Sequence, residues 1–340
     1  MNTYFAEYVW LDNDNNFRSK TKIVSTKDKD RFNITVYPHW NYDGSSTGQA
    51  ILDDSEVNLE PYFIYPDIFR DFNMDVIVMC TPYKKNNGQI KHFSKRYNAI
   101  DLFSKHLNLE PLFGLEQEFF MIDKDINRPF NYTTHNQYDN IFYCGVGAGC
   151  VSNKVRVFMN QVMLMCAKAG IILTGMNMEV SPGQGEFQVC NFGIKACDDL
   201  IFLRYVLVRL GEDYNIIIDF SPKLKYDDKL NGSGCHINFS TNKMREENGY
   251  KYIKKAIDKL NMLDVEKHLE YYGIDNKKRL TGTNETSKYN EFTVGEGNRG
   301  CSIRIPYKTI SDNKGYFEDR RPGGNIDPYI ACPFLFKSIL

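Results

Sequence analysis

Five glutamates and one histidine sit on short, strand-like stretches crowded with glycine and arginine. Glu116 and Glu118 lie in Phe113-Gly-Leu-Glu-Gln-Glu-Phe-Phe120, and Glu179 and Glu186 flank a Ser-Pro-Gly-Gln-Gly turn. His236 follows Asn231-Gly-Ser-Gly-Cys, and Glu318 lies in Gly315-Tyr-Phe-Glu-Asp-Arg-Arg321. An unpaired buried carboxylate costs on the order of several kcal/mol, so carboxylates set among apolar residues call for cations. Oxygen-rich ligation with at most one imidazole suits hard divalent ions such as magnesium or manganese. Phosphoryl transfer is the first chemistry such a set suggests.

The spacing of each segment sharpens that reading. On a strand, residues two apart share a face, so the carboxylates of Glu116 and Glu118 converge while Gln117 and Phe119 turn away. Alone, this is equally the polar face of an edge strand. Asn177 to Val189 reads as strand, Pro-Gly turn, strand, which can bring Glu179 and Glu186 together. Like charges so placed are destabilising unless a cation lies between them, which favours ligation over an ordinary charged hairpin. In Gly232-Ser-Gly-Cys-His-Ile-Asn-Phe-Ser240, His236, Asn238 and Ser240 share one face; a ligand role and a structural role for His236 are evenly matched on this segment. Arginines gather at Arg299, Arg304, Arg320 and Arg321, and their forked donors match carboxylates and phosphates. Surface salt bridges are the alternative, but crowding beside a carboxylate cluster favours a small anionic substrate. Neither a P-loop nor a strand-linked Gly-x-Gly-x-x-Gly occurs, and Gly145-Val-Gly-Ala-Gly149 reads as a loop.

The elements that must position these residues follow from periodicity. Residues 1 to about 80 read as strands and turns, including Tyr4–Leu11, Lys20–Val24 and Asp75–Cys80, the last ended by Thr81-Pro82. Lys84-Lys-Asn-Asn-Gly88 reads as a domain boundary, giving domains 1–84 and 85–340. Helical stripes run over Ser94–Leu107, Val155–Ala169, Asp198–Tyr214 and Lys243–Leu260, with Asp198 and Asp199 favourable at a helix start. Short strands between helices indicate an α+β protein with a mostly antiparallel sheet. The chain has 340 residues and a net charge of -1, from 42 basic and 43 acidic side chains. No basic excess favours nucleic acid or an anionic membrane. Nine cysteines without a Cys-x-x-Cys pair read as reduced thiols in a cytosol-like compartment. No signal peptide and no bilayer-length apolar run is apparent.

Taken together, the segments resemble glutamine synthetase of the eukaryotic-type class over nearly the whole chain. The resemblance rests on Trp40-Asn-Tyr-Asp-Gly-Ser-Ser-Thr47, Phe113-Gly-Leu-Glu-Gln-Glu118, Asn177-Met-Glu-Val180 with Glu186-Phe-Gln-Val189, and Asn231-Gly-Ser-Gly-Cys-His236. It continues through Arg279-Leu-Thr-Gly282, Asn298-Arg299 with Ser302-Ile-Arg-Ile-Pro306, and Gly315-Tyr-Phe-Glu-Asp-Arg-Arg-Pro322. The resemblance implies a β-grasp-like N-terminal domain before the catalytic domain, and formation of glutamine, ADP and phosphate from glutamate, ammonia and ATP. It implies two or more magnesium or manganese ions per site. Glu118, Glu179 and Glu186 match the ligands of one; Glu116, His236 and Glu318 match those of the second. Asn231, Gly232, His236 and Arg279 look like substrate-binding positions, and Arg299, Arg304 and Arg320 like the cluster around the phosphate, with Arg304, Asn238 and Ser240 on the nucleotide. Glu285 matches a flap carboxylate that takes a proton from ammonium; Asp43 and Ser46 match the ammonium loop of a neighbouring subunit, and Tyr143 lines that site. The implied assembly is a cytoplasmic homo-oligomer of stacked rings, a decamer by analogy.

Departures from the family pattern are also visible. The family usually has tryptophan at Gly185, histidine at Asn284, alanine at Gly297 and arginine at Tyr307. A leading helix is missing, and Pro333 falls where the family has a terminal helix. A silent structural homologue would show eroded ligands, and none is eroded. A ligase for another amine would have no use for the ammonium loop, and Asp43-Gly-Ser-Ser-Thr47 is intact.

Overall fold

The aromatic and β-branched run near the start of the chain becomes β1 (Asn2–Leu11), which pairs antiparallel with β2 (Phe17–Thr26). Asp12 makes the turn between them by accepting the backbone N–H groups of Asp14 and Asn16, each at 2.9 Å. The computed structural model describes residues 2–28, 30–70, 75–86, 88–133, 141–225 and 230–340. The described chain divides into two compact units, Met1–Asn98 with Ala167–Gly170, and Ala99–Cys166 with Ile171–Leu340.

The first unit is a six-stranded sheet completed by β3 (Trp40–Asp43), β4 (Glu56–Pro66), β5 (Val76–Asn86) and β6 (Gln89–His92), in the order β2-β1-β5-β4-β3 with β6 on β5. β1 and β5 run parallel. Alternate residues Ala6, Tyr8 and Trp10 of β1 join Val57, Leu59, Val76 and Val78 in its core. Thr81-Pro82 does not end β5, because Pro82 lacks only a donor; its carbonyl still accepts the Phe93 N–H at 3.0 Å. The polar Lys84–Asn86 stretch is likewise strand, paired antiparallel with β6.

The second unit is α+β and holds a nine-stranded sheet. Its strands are β7 (Leu112–Asp123), β8 (Arg128–Pro129), β9 (Leu173–Met178), β10 (Gln184–Phe192), β11 (Ile216–Asp219), β12 (Cys235–Ser240), β13 (Val294–Glu296), β14 (Ile303–Ile305) and β15 (Phe317–Asp319). Their order is β13-β14-β15-β12-β7-β10-β9, with β8 and β11 also on β7. All pairs are antiparallel except β13 with β14.

The helices are α1 (Arg96–Lys105), α2 (Asn153–Lys168), α3 (Gly193–Tyr214), α4 (Asn242–Arg245), α5 (Tyr250–Asn261), α6 (Val265–Leu269), α7 (Tyr307–Ser311) and α8 (Pro328–Ile339). α3 starts five residues earlier than its apolar stripe suggests. Asp198 and Asp199 are therefore buried partners within it rather than first-turn charges: Asp198 accepts from Tyr329 Oη at 2.7 Å, and Asp199 accepts from Asn191 Nδ2 at 2.9 Å. The expected 243–260 helix is broken between α4 and α5, where Asn248 adopts φ 61 ahead of Gly249. Pro333 lies inside α8. Among the described residues no helix is long and apolar enough to cross a membrane.

The centre of the second sheet is pinned from behind. On β7, Gln117 faces away from its glutamate neighbours, and its Oε1 accepts Arg204 Nε of α3 at 2.7 Å. Arg204 also donates to the carbonyls of Ile326 at 2.7 Å and Gly324 at 2.9 Å. A buried guanidinium so fully bonded fixes the strand that carries Glu116 and Glu118.

Candidate active site

Strand register assembles the acidic cluster. Across the β7–β10 ladder Glu118 stands opposite Glu186 and Glu116 opposite Gln188. Across the β7–β12 ladder Glu116 stands opposite His236. Glu318 of β15 pairs with Asn238 of β12 on one side and with Arg304 of β14 on the other. Glu179 lies just past β9, in the turn whose Gln184 carbonyl accepts the Glu179 N–H at 2.8 Å. The result is two groups: Glu116, His236 and Glu318, and Glu118, Glu179 and Glu186, the potential ligand atoms of each lying within 4.8 Å of one another. The set is five carboxylates and one imidazole without a thiol, which fits a hard divalent cation in each group.

The electrostatics point the same way. Burial foremost, then Glu179, pushes the Glu118 carboxyl above the ordinary carboxylate range. Burial and Glu186 do the same to Glu179, and burial with Glu116 and Glu118 to Glu186. Groups in this condition resist ionisation until positive charge is brought between them. Burial first, and Arg320 next, holds the His236 imidazole well below its ordinary value.

Each acidic group also has a dedicated hydrogen-bond donor. The Gly234 N–H donates to Glu118 Oε2 at 2.6 Å, Asn177 Nδ2 to Glu179 Oε1 at 2.7 Å, and Gln188 Nε2 to Glu186 Oε1 at 2.8 Å. Asn238 Nδ2 donates to Glu116 Oε1 at 2.8 Å. Glu318 receives Arg304 Nη1 at 2.7 Å and Arg320 Nη1 at 2.5 Å. Gly234 has no room for a side chain, since a Cβ would lie 2.5 Å from Arg279 Nη2 and 2.7 Å from His236 Nε2. Arg279 Nη2 donates to His236 Nε2 at 3.0 Å, which leaves Nδ1, 3.2 Å from Glu116 Oε2 and 3.5 Å from Glu318 Oε1, as the nitrogen that can face a cation.

A family model of the glutamine synthetase catalytic domain matches residues 97–257. A glutamine synthetase of Saccharomyces cerevisiae is 42% identical over 351 residues, covering 98% of this chain and 88% of its own. The chain belongs to the glutamine synthetase family. Cytosolic isozyme 1-1 of Oryza sativa is 41% identical, with 98% of this chain and 93% of its own covered. The fold is that of a Plasmodium falciparum glutamine synthetase solved by electron cryomicroscopy, at a TM-score of 0.75 and 17% identity, covering 99% of this chain and 72% of that one.

The remaining positions implied by the likeness to glutamine synthetases are distributed as follows. Arg279, buried, donates to the carbonyls of Arg320 at 3.0 Å and Arg321 at 3.3 Å, and burial lowers its pKa to about 10. Arg320 Nε donates to the Arg299 carbonyl at 2.9 Å and its Nη2 to the Glu285 carbonyl at 3.3 Å, which ties the two exposed loops to β15. Tyr143 is half-exposed; burial raises its phenol, with Arg299 opposing and Glu179 adding to the shift. Asn231 is held by its backbone, donating to Ser181 Oγ at 2.9 Å, and the Gly232 carbonyl accepts Gln184 Nε2 at 3.1 Å. The Asn238 amide is engaged by Glu116, and Ser240 Oγ accepts Arg245 Nη1 at 3.0 Å.

Asp43 and Ser46 belong to the first unit. There Asp43 caps a one-turn helix over Gly44–Thr47, accepting the Ser45 N–H at 2.9 Å and Ser46 Oγ at 3.1 Å. These bonds, Ser45 foremost, hold its exposed carboxyl below the ordinary range.

Sequence reasoning missed the amides Asn177, Gln184 and Gln188. The signal was present for all three: Gln184 and Gln188 each stand two residues from Glu186 on one strand, and Asn177 stands two residues from Glu179.

Proposed function

We propose that this chain joins ammonia to the γ-carboxylate of L-glutamate with ATP as phosphoryl donor. The observation that carries the reading is the side-by-side pair of hard-cation donor groups, flanked by Arg279, Arg304 and Arg320, in a chain of this family. Glu118, Glu179 and Glu186 would hold one magnesium or manganese ion, and Glu116, His236 and Glu318 a second. Such ions neutralise the charge of ATP phosphates and of the group in transfer.

Arg279, with Asn231 and Gly232, orients glutamate so that its γ-carboxylate faces the γ-phosphate of ATP. A γ-carboxylate oxygen forms a bond to that phosphorus as the bond to ADP breaks, giving γ-glutamyl phosphate. Arg304, Asn238 and Ser240 seat the nucleotide, which asks the Asn238 amide to serve both Glu116 and ATP. Arg299 and Arg320 hold the charge on the phosphoryl oxygens with forked donors. Asp43 and Ser46 of a neighbouring subunit draw ammonium in beside Tyr143, and Glu285 takes its proton. Ammonia then attacks the acyl carbon and phosphate leaves, while the closed Glu285 loop keeps water from the acyl phosphate. Cytosolic residence and a stacked-ring homo-oligomer, a decamer by analogy, belong to the same proposal; the rice relative is named cytosolic, although a Drosophila melanogaster relative is named mitochondrial.

The test is phosphate release from ATP and glutamate, with and without ammonium, alongside direct measurement of glutamine. Ammonium should stimulate release and yield glutamine in step with phosphate, and Glu118→Ala or Glu179→Ala should abolish both. Near-wild-type turnover by either variant at limiting magnesium would overturn the ligand assignment; release that responds to another amine but not to ammonium would overturn the substrate.

A further inference from the structure

Gln188 occupies an unusual place on β10. Its Nε2 donates to Glu186 Oε1 at 2.8 Å, two residues back on the same strand. It stands opposite Glu116 on one side and Gly175 of β9 on the other, and the β9 pairing shifts register between Gln188 and Val189. A Cβ on Gly175 would lie 2.8 Å from Gln188 Oε1 and 3.3 Å from its Cδ. The glutamine amide thus lies over the bare backbone of Gly175 on its way to Glu186.

Gly175 has no other evident reason to be glycine. It is not among the residues with positive φ, so its backbone conformation is open to any L-residue. Glycine in a strand interior weakens the strand and commonly marks a close approach by another group. The group that approaches here is the far end of Gln188, which a methyl would force aside. The displacement costs the fold little, because a flexible side chain absorbs it, but it falls on the bond to Glu186.

We infer that Gln188 is a positioning residue for Glu186, and that Gly175 positions Glu186 in turn by leaving room for the Gln188 amide. The inference rests on the proposed reading of Glu186 as a cation ligand. Glu186 is buried and has Glu116 and Glu118 as neighbours on the adjoining strand β7, so its carboxylate is subject to like-charge repulsion from both. A neutral amide anchored on the same strand fixes one of its oxygens without adding charge. The carboxylate is then held in place before a cation arrives, and outer hydrogen bonds of this kind are typically worth about 10–100-fold in metal affinity.

The test compares full-length, metal-stripped wild type with Gly175→Ala, Gln188→Met, the double variant and Glu186→Gln. Mn2+ binding is followed by the electron paramagnetic resonance signal of the free ion, and thermal unfolding is recorded without metal. We expect Gly175→Ala and Gln188→Met each to weaken one class of Mn2+ site by about 10–100-fold while the metal-free unfolding temperature stays put. The double variant should be no worse than Gln188→Met alone, because Gly175 acts only through the amide. Wild-type Mn2+ binding by the two single variants, beside loss in Glu186→Gln, would overturn the inference while leaving the ligand reading intact. So would additive losses in the double variant, which would make Gly175 structural in its own right. Wild-type binding by Glu186→Gln would overturn both, through the ligand reading beneath.

Discussion

Glu118 and Glu186 face each other across a ladder where like charges are destabilising, and that tension has a measurable consequence. Glu118, Glu179 and Glu186 have pKa values raised from an ordinary 4.5 to about 8, about 7 and about 8, with burial the first cause in each. Between the ordinary and the raised values the folded protein binds more protons than the unfolded chain, so stability falls as pH rises through that window. The buried His236 and His268, held below the ordinary 6.5, push stability the other way, but only below that pH. Above pH 6.5 the carboxylates remain. The unfolding temperature of metal-free protein should therefore drop from pH 6.5 to 8, and saturating magnesium should remove the drop by compensating the charge. Calorimetric scans at four pH values with and without magnesium decide this; a flat metal-free profile would mean that the cluster is not strained in the way its geometry indicates. That Glu116 and Glu118 share a face was legible from sequence, because alternation along a strand fixes it; the grouping of all six residues into two sets was implied only by the resemblance. The amide donor Asn238 was less legible, since it reaches Glu116 only through the β7–β12 register, which a single sequence does not state.

At the scale of elements, two departures from the family pattern turn out to touch. Gly297 has φ 61, and a Cβ there would lie 2.4 Å from Tyr307 Cε2. The glycine that replaces alanine therefore accommodates the ring that replaces arginine, on the loop that leads to Arg299. Asn284 is similarly suited to its place, since it adopts φ 52, a left-handed conformation that asparagine tolerates better than most residues. Gly185 is different. Room for a tryptophan at this position would make Gly185→Trp harmless, but a Cβ there would meet Met159 Cε at 3.0 Å and Met121 Cε at 3.1 Å. Two buried methionines fill the space. Gly185→Trp should lower stability by about 1–3 kcal/mol through overpacking, and adding Met159→Ala should recover part of the loss. Chemical denaturation of the single and double variants measures both; a single variant as stable as wild type would show that the methionines swing clear. Helix and strand existence was legible here from periodicity, but ends were not. Pro82 and Pro333 look like terminators, yet the strand and helix run through them. The missing N–H is one donor among many ladder bonds, and packing outweighs it.

At the scale of the whole molecule, the proposed chemistry draws on residues that the chain keeps apart in sequence. The six acidic-cluster residues and Glu285 belong to the second unit, whereas Asp43 belongs to the first. Asp43 already has its carboxylate set by Ser45 and Ser46 within its own loop, so it can be presented ready-made to a neighbouring copy. In a closed ring built from heterologous contacts, each subunit gives its Asp43 loop to one neighbour and receives a loop from another. Asp43→Ala should then impair ammonium use more than glutamate use, and Glu285→Ala should lose glutamine formation while keeping some glutamate-dependent phosphate release. Rings assembled from a random mixture of the two variants contain interfaces at which an intact Asp43 meets an intact Glu285, and neither pure assembly has one. About a quarter of sites should recover on that arithmetic. Activity is measured on mixed rings whose composition has been verified by mass. Recovery near that fraction requires the two residues to come from different chains; its absence would place both within one chain, or remove Asp43 from the reaction altogether.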